Sequence, residues 1–438
     1  METTIATAQP SSIWDKGKLF LKAIIIFLMA LALWIPTYFI MGLVKEREAR
    51  QQEAITDISS KWGGKQTVTG PMLVLPYTDI EKDGSGNITT VKRNAYFMAD
   101  QLQTKCNVIP EKRYRGIYQV VVYRSEIHIT GKFGPLAWQQ LKIPPANILW
   151  SEAAMLFRVS DNLRGINEDI SVKWADSSII LTPQPSGFSH FNEAFIAPVI
   201  LNEAGAATEH SFNMNFSLNG SEQLLFAASA RENKLEMQSS WADPSFTGVK
   251  LPDTRDVSDS GFTAKWRYMN RSVPPVWKNT VYNLDESSFG ADLVISVDGY
   301  DKTLRSVKYA LLCIILTFAA FFLIETIYKK PLHLIQYGLA GLALVLFYTL
   351  LLSVSEYTSF NLAYLLAGIA TIGLVVWYVG SIMRSGKLAG FISFVLAVVY
   401  AYIFSIIQLQ DYSLLMGSIG LFIALAVIMY FSRKLQWS

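Results

Sequence analysis

The chain has 438 residues, of which 51% are hydrophobic and 17% charged, and its mean hydropathy is +0.28. This balance is too apolar for an ordinary soluble globular protein. The formal net charge of +3 is carried largely beside hydrophobic segments, so it gives no reason to expect a nucleic-acid partner.

Charged residues are unevenly distributed along the chain. Residues 45–307 hold 28 of the 38 Lys and Arg and 30 of the 35 Asp and Glu, whereas residues 308–438 hold only seven basic and three acidic residues. A charge-poor C-terminal third beside an ordinarily charged middle predicts a membrane bundle joined to a globular domain.

The first apolar segment, residues 23–44, follows a tail, residues 1–22, that contains Lys16, Lys18 and Lys22. A cleaved signal peptide is the competing interpretation. The apolar run, however, is longer than the core of a signal peptide and leads into bulky residues instead of a cleavage site. We therefore predict an uncleaved transmembrane anchor.

The middle domain, residues 45–307, is predicted to be rich in β-strands. Apolar and polar residues alternate with period two in SFNMNFSLN (211–219), GFTAKWRYM (261–269) and YRSEIHIT (123–130). Strands with one apolar face each predict antiparallel sheets packed as a sandwich or partial barrel. A polar stretch at residues 45–62 is predicted to be a helix that extends the first span.

Smaller features of the sequence predict little chemistry. Residues 134–142 and 191–196 are further helix candidates. Cys106 lies in the polar domain and Cys313 in an apolar run, so no disulfide is expected. Because metal-ligand spacings and the usual catalytic motifs do not occur, we predict no metal, no cofactor and no enzymatic activity.

The C-terminal part, residues 308–438, contains five further apolar stretches, each long enough to cross a bilayer, which takes about 20 helical residues. They are residues 308–328, 332–354, 360–383, 388–408 and 412–431. The predicted fold class is therefore membrane α+β: a six-helix transmembrane bundle (one plus five) with a large extracytoplasmic antiparallel β-rich, sandwich-like domain inserted between spans one and two.

Basic residues predict the orientation of the bundle, because Lys and Arg are concentrated in cytoplasmic loops. Three edges carry basic pairs: Lys329 and Lys330, Arg384 and Lys387, and Arg433 and Lys434. The opposite loops, residues 355–359 and 409–411, carry none. Both termini are therefore predicted to be cytoplasmic, which places residues 45–307 on the other side of the membrane.

Polar residues cluster where spans two and three meet. Glu325 interrupts the apolar run of span two, and His333, Gln336 and Tyr337 open span three. An ionisable residue in a span indicates function by default, but Glu325 lies four residues before Lys329, near the cytoplasmic edge. A polar rim that fastens the hairpin is the favoured interpretation. A proton or ligand site and an incidental cluster stay open.

One face of span three is predicted to pack tightly against its neighbours. The face comprises Tyr337, Gly341, Leu344, Tyr348, Leu351 and Ser355. It ends beside Glu356 at the outer surface. Small residues permit close helix approach and hydroxyls can hydrogen-bond across it, so this pattern favours packing over a pore.

Several long motifs resemble those of a known family. They are WADPSFTGVKLP (241–252), GFTAKW (261–266), KYALLCIILTFAAFFLIE (308–325) and LHLIQYGLAGLALVLFYTLLLSVSE (332–356). In order and spacing they resemble the CreD family of bacterial inner-membrane proteins, also called the colicin-tolerance or cell-envelope-integrity family. The candidate periplasmic motif comprises Trp241, Pro244, Phe246, Gly248, Pro252, Phe262 and Trp266. Its aromatic residues fit a domain core better than a binding face.

The resemblance implies a multi-pass inner-membrane protein with a large periplasmic domain and a role in envelope integrity and tolerance to colicins. It also implies that, in some relatives, a two-component regulatory system controls expression of the gene. It implies no catalytic residues. Relatives often read Ser-Glu-His after span three, whereas this chain has Ser355, Glu356 and Tyr357, so a Glu–His pair there is not a required feature.

Two functional hypotheses follow. The first is a non-enzymatic protein of envelope integrity and stress response, whose periplasmic domain binds a protein or another envelope component while the spans anchor it among membrane lipids. The alternative is a transporter or channel using spans two to six, with Glu325, His333 and Tyr348 as candidate residues. The oligomeric state stays open.

Overall fold

The computed structural model describes residues 13–82, 88–184, 191, 194–293, 298–328, 331–409 and 413–432. The chain divides into two compact units. The membrane unit comprises Met1–Gln51 and Ser296–Ser438, and the β unit comprises Gln52–Ile295.

The apolar helices predicted from the sequence are confirmed. The helices in the described residues are α1 (Ile13–Ala32), α2 (Trp34–Trp62), α3 (Asn162–Gly165), α4 (Asp298–Lys308), α5 (Ala310–Tyr328), α6 (Leu334–Ser355), α7 (Phe360–Met383), α8 (Gly386–Gln408) and α9 (Ser413–Ser432). Within the described ranges, five segments have the length and composition of membrane spans: Phe20–Trp62, α5, α6, α7 and α8. The 20-residue helix α9 occupies the predicted sixth span.

Pro36 explains the break between α1 and α2. A proline in a helix cannot donate the bond that its N–H would make to the carbonyl four residues earlier, which here is that of Ala32, the last residue of α1. The Thr37 hydroxyl donates to the carbonyl oxygen of Trp34 at 2.6 Å and supports the first turn of α2. From there α2 runs as one helix to Trp62, and i,i+4 ion pairs stabilise its polar part.

Two sheets form the β unit. The nine-stranded sheet contains β1 (Gln66–Lys82), β2 (Ile88–Phe97), β5 (Ala154–Val159), β8 (Thr182–Pro183), β9 (Ala194–Pro198), β11 (Gln223–Ala227), β13 (Ser245–Gly248), β16 (Val276–Lys278) and β17 (Ser288–Asp292). The eight-stranded sheet contains β3 (Ala99–Arg115), β4 (Tyr118–Phe133), β6 (Ser171–Trp174), β7 (Ser177–Ile180), β10 (His210–Ser221), β12 (Ala230–Ser239), β14 (Thr254–Ser258) and β15 (Gly261–Met269).

The strand order places β3 and β4 near the middle of the second sheet. Its order is β14-β15-β12-β3-β4-β10-β6-β7. The first sheet has the order β13-β17-β11-β1-β5-β9-β8, with β2 pairing both β1 and β16 beside this path. The long hairpin of β3 and β4 therefore forms the centre of a wide, mostly antiparallel surface.

The sheets are rich in antiparallel pairs, as predicted, but two strand pairs are parallel. They are β1 with β11 and β3 with β12. Both pairs join strands that are far apart in the sequence. Period-two alternation specifies which face of a strand is buried, but it does not specify the direction of the neighbouring strand.

The core of the β unit lies between the two sheets. One hydrophobic cluster contains buried residues from both sheets. Phe157 of β5 and Phe216 of β10 meet edge to face across this core, with ring centroids 5.1 Å apart. Since each sheet buries one face against the other, the sandwich-like fold is confirmed.

Two minor helix predictions need correction. Within 134–142, only Trp138–Leu141 forms a helix, and it is a single 3-10 turn. The predicted helix at 191–196 is wrong, because Ala194–Pro198 forms β9, which pairs with β5. Pairing with a neighbouring strand overrides the weak local preference of so short a segment.

Candidate functional site

A lysine from the first helix completes the polar cluster at the start of α6. The Lys22 ammonium forms an ion pair with the Glu325 carboxylate and also donates to the carbonyl oxygen of Leu332 at 2.7 Å. The Tyr337 hydroxyl donates to the second carboxylate oxygen of Glu325 at 2.9 Å. Glu325 therefore links α1, α5 and α6, and its side chain is only 13% exposed. Its predicted partner Lys329 lies outside the described residues.

His333 and Gln336 cap the start of α6. The His333 ring nitrogen Nδ1 accepts from the backbone N–H of Ile335 at 3.3 Å. The side-chain oxygen of Gln336 accepts in return from the backbone N–H of His333 at 2.9 Å. This reciprocal pair satisfies two backbone donors that a helix start leaves unpaired. Both side chains therefore have a structural role beside the Lys22–Glu325 pair.

Aromatic side chains fill the middle of the membrane unit. Tyr348 is buried, and its neighbour Phe347 lies 4.9 Å from it, 5.2 Å from Tyr364 and 4.7 Å from Tyr400, ring centroid to ring centroid. The Tyr364 hydroxyl donates to the carbonyl oxygen of Tyr400 at 2.9 Å. This arrangement packs α6, α7 and α8 together, which is the packing role expected for this face of the helix.

A second ion pair lies at the opposite end of α6. Nε of Arg47 on α2 is 3.5 Å from a carboxylate oxygen of Glu356, whose side chain is 9% exposed. The Ser355 hydroxyl donates to the carbonyl oxygen of Leu352 at 2.9 Å, which is a contact within the helix. Tyr357, which follows Glu356, is exposed. The N-terminal helices α1 and α2 are thus tied to both ends of α6.

The candidate motif of the β unit belongs mostly to its core. Phe262 and Trp266 are buried, and the ring of Phe246 meets them edge to face at 5.5 and 5.7 Å. Gly248 has φ +101°, and a Cβ there would lie 2.2 Å from the carbonyl oxygen of Ser288. Only glycine fits this conformation and this close approach of β13 to β17. These residues stabilise the fold.

The remaining motif residues do not meet at one surface. Trp241 is half-buried, its Nε1 donates to the carbonyl oxygen of Asp243 at 3.0 Å, and the Lys112 ammonium lies 5.6 Å from its ring centroid. Pro244 and Pro252 are half-buried in the irregular segments before β13 and β14. The motif therefore gives no single binding face.

A long groove crosses the outer face of the eight-stranded sheet. It consists of a cavity of about 760 Å³ and a second of about 400 Å³, and Asn107 and Gln238 line both. We call the two cavities together the outer groove. Amide, hydroxyl and carboxylate side chains from β3, β4, β10, β12, β14 and β15 line it, together with the Lys105 ammonium and the His128 ring, and Glu168 and Asp169 reach it from a loop.

The positions between the groove residues face the core. Cys106 lies between Lys105 and Asn107 and is fully packed among apolar residues. Burial raises the pKa of the Cys106 thiol well above its ordinary value, so the sulfur stays protonated and unreactive at neutral pH. In the part of the chain that the structure describes, no three His, Cys, Asp or Glu are grouped so that they could hold a metal ion.

The comparison with known families decides what kind of protein this is. The family described as "Inner membrane protein CreD" matches residues 18–438. The chain belongs to the CreD family.

A curated relative supports the assignment over the whole length of the chain. The inner membrane protein CreD of Escherichia coli (strain K12) is 28% identical over 436 residues, which cover 96% of this chain and 94% of the relative. A crystal structure of a Parabacteroides distasonis protein aligns with 68% of this chain and 59% of that protein, at 10% identity and a TM-score of 0.22. A similarity this low supports no conclusion about fold or activity.

In this CreD-family chain, the residues predicted as sites separate into distinct places. Glu325 and Tyr337 form a side-chain hydrogen bond, and His333 and Gln336 cap the start of α6, the helix that contains Tyr337. Tyr348 lies in the aromatic centre, while Glu356 lies at the far end of α6. Lys22 was not predicted as the partner of Glu325, although the predicted topology places a basic flank and this carboxylate at the same edge of the bundle. The outer groove was not predicted either, although Glu126, Ser217 and Thr263, which line it, lie in the predicted alternating strands.

Proposed function

We propose that the protein supports the integrity of the cell envelope as a binding protein. In this proposal, the β unit lies in the periplasm and binds a protein or another envelope component, while the helices anchor it in the inner membrane. The main support for the proposal is the outer groove, because its larger cavity of about 760 Å³, which polar side chains line, is large enough to hold a ligand.

Two further observations support this assignment. The basic pairs at three edges of the bundle favour cytoplasmic termini, and an even number of spans then puts the inserted β unit outside the cytoplasm. The family resemblance implies a role in envelope integrity and colicin tolerance, and the bulky aromatic residues at the centre of α6, α7 and α8 support an anchoring role for the bundle.

In-cell photo-crosslinking tests the proposal. A photoreactive amino acid replaces Asn107 inside the groove or, as a control, Gln103, which lies on the same strand and the same outward face but does not line the groove. We expect a specific crosslinked envelope component from position 107 only. A deletion strain should be more sensitive to detergent and altered in colicin tolerance, and the wild-type gene should restore both.

The proposal is contradicted if two results occur together. The first is a position-107 probe that captures no envelope component in cells where the protein is present at its normal level. The second is a deletion strain whose detergent and colicin sensitivities equal those of the parent.

A second candidate function, transport through the bundle, rests on the Lys22–Glu325 pair and its hydrogen bond from Tyr337, since ionisable side chains within spans often mark ion or proton pathways. Flux measurements in liposomes with the wild-type protein and the Glu325→Gln variant test it. Under our proposal neither protein carries substrate-dependent flux. A flux of the wild type that Glu325→Gln abolishes would replace envelope binding with transport.

A further inference from the structure

The outer groove contains a regular row of unpaired polar side chains. The strand register places one residue from each of six neighbouring strands side by side: Asp256, Thr263, Gln238, Asn107, Glu126 and Ser217. We call these six residues the central row, and all of them line the groove. Neighbouring strands are about 4.8 Å apart, so the row is about 24 Å long.

The side chains of the central row are available to a ligand. Among the contacts of the described residues, none of the six side chains makes a hydrogen bond or an ion pair. The adjacent row, which contains Lys265, Glu236, Lys105, His128 and Asn215, is different. In it, Lys265 pairs with Glu236 at 2.9 Å and the His128 ring contacts the side-chain oxygen of Asn215. Four side chains of the adjacent row are thus paired with one another, whereas the central row keeps its hydrogen-bonding capacity for a bound molecule.

The chemistry of the row indicates the kind of ligand. Amides and hydroxyls both donate and accept hydrogen bonds, whereas Asp256 and Glu126 only accept. A matching chain carries a hydroxyl or amide group at each repeat. It carries no negative charge, since the carboxylates of the row and of Glu168 and Asp169 outnumber the Lys105 ammonium in the groove and would repel an anion.

The position of the row favours a sugar chain over a peptide. Side chains on one face of an extended peptide repeat about every 6.8 Å, out of step with a row spaced at about 4.8 Å. Extended peptides also bind at the edge of a sheet, where backbone groups are free, whereas the central row crosses the face. The repeat of a linear sugar chain is closer to the strand spacing.

We propose that the outer groove binds a linear oligosaccharide, neutral or amine-bearing, that lies across the strands along the central row. This inference rests on the proposed function and specifies its ligand as a glycan of the envelope.

Calorimetric titration of the full-length protein in nanodiscs tests the inference. The probes are a hexamer of N-acetylglucosamine, the corresponding hexamer of glucosamine, and a hexamer of galacturonate as the anionic control. We expect the first two to bind, and we expect the uronate to bind at least about tenfold more weakly because of charge repulsion.

Matched variants then locate the site. Asn107→Ala and Gln238→Ala each remove a side chain of the central row, and each should weaken binding of the neutral hexamer about tenfold. Gln103→Ala removes the same type of side chain from the same face of β3 outside the groove and should leave affinity unchanged. All three positions are exposed or half-buried, so thermal unfolding should be unaltered.

Clear outcomes overturn the inference. It fails if neither uncharged nor amine-bearing hexamers bind, if the uronate binds best, or if Gln103→Ala weakens binding as much as Asn107→Ala. If position 107 captures a protein in cells and none of the sugar hexamers binds in the titration, the glycan inference is wrong, while the proposed envelope function still holds.

Discussion

Lys22 and Glu325 are 303 residues apart in the sequence, yet their side chains meet at one edge of the bundle. Lys22→Met and Glu325→Gln each leave one partner of a largely enclosed pair uncompensated. We expect each single variant to lower the unfolding temperature in detergent micelles by about 2–6 °C. The double variant should lose less than the sum of the two losses, because neither charge is then left alone.

The exposed residue Lys45, for which no ion pair is found in the described part of the chain, provides the control. Lys45→Met should change the unfolding temperature little. Strictly additive losses in the double variant of Lys22 and Glu325 would show that the ion pair does not couple α1 to α5.

Glu232 and Asp253 predict an acid-sensitive contribution to stability in the β unit. The hydrogen bond from Arg267 holds the pKa of Glu232 below its ordinary value of 4.5, and that from Lys250 holds the pKa of Asp253 below 3.8. A carboxylate with a depressed folded-state pKa contributes stability that is complete above its unfolded pKa and lost as pH falls through the folded pKa.

Arg267→Gln tests this contribution. The variant should unfold at a lower temperature than the wild type at about pH 7, and the difference should shrink as the pH falls through the depressed pKa of Glu232, because the protonated carboxyl no longer gains from the Arg267 charge. A difference that stays constant or grows over this range would contradict the assignment.

Sequence reasoning at the residue scale succeeds where partners are near in the chain. The proximity of Glu325, His333, Gln336 and Tyr337 could be predicted because they lie within 13 residues of one another, at the facing ends of two consecutive helices. The partner Lys22 could not be assigned in the same way, because the side-by-side packing of α1 and α5 is a tertiary property.

At the scale of helices, Gly341 lies where α6 packs closely against its neighbours. A Cβ at this position would lie 2.2 Å from Cδ1 of Leu33 and 2.8 Å from the ring of Phe318, and both neighbours are buried. Gly341→Leu should therefore destabilise the membrane unit by about 1–3 kcal/mol through overpacking. Thermal unfolding in detergent micelles measures the loss.

Gly373 on α7 is the matched control, since a Cβ there meets no atom within 4 Å. Gly373→Leu should be neutral or stabilising by up to about 1 kcal/mol, because leucine is the better helix former. Equal losses from the two leucine substitutions would show that close approach at Gly341 is not what requires a glycine.

Element positions were more predictable than their pairing. Apolar runs predicted the helix ends of α5 to α8 to within about two residues, and alternation predicted β10 and β15. The parallel contacts of β3 with β12 and of β1 with β11 could not be predicted, because strand direction depends on which distant segments meet. For the same reason the central row could not be seen in the sequence: its members lie on six strands whose register is fixed only by folding.

For the whole molecule, the central claim is that the β unit is displayed in the periplasm, where its groove meets envelope components. The charge pattern of the short loops predicts this orientation, and the family name places such proteins in the inner membrane. A groove facing the cytoplasm would have no access to an envelope ligand. The orientation therefore decides whether the function proposed here is physically available.

Cysteine labelling in intact spheroplasts tests that claim most directly. Ser258→Cys lies on the exposed strand β14, Lys387→Cys lies at the exposed start of α8, and the native Cys106 and Cys313 are buried. A maleimide that cannot cross the inner membrane should label Ser258→Cys in intact spheroplasts, whose outer membrane is breached, and it should label Lys387→Cys only after lysis. Labelling of Lys387→Cys in intact spheroplasts, with Ser258→Cys protected, would contradict the account.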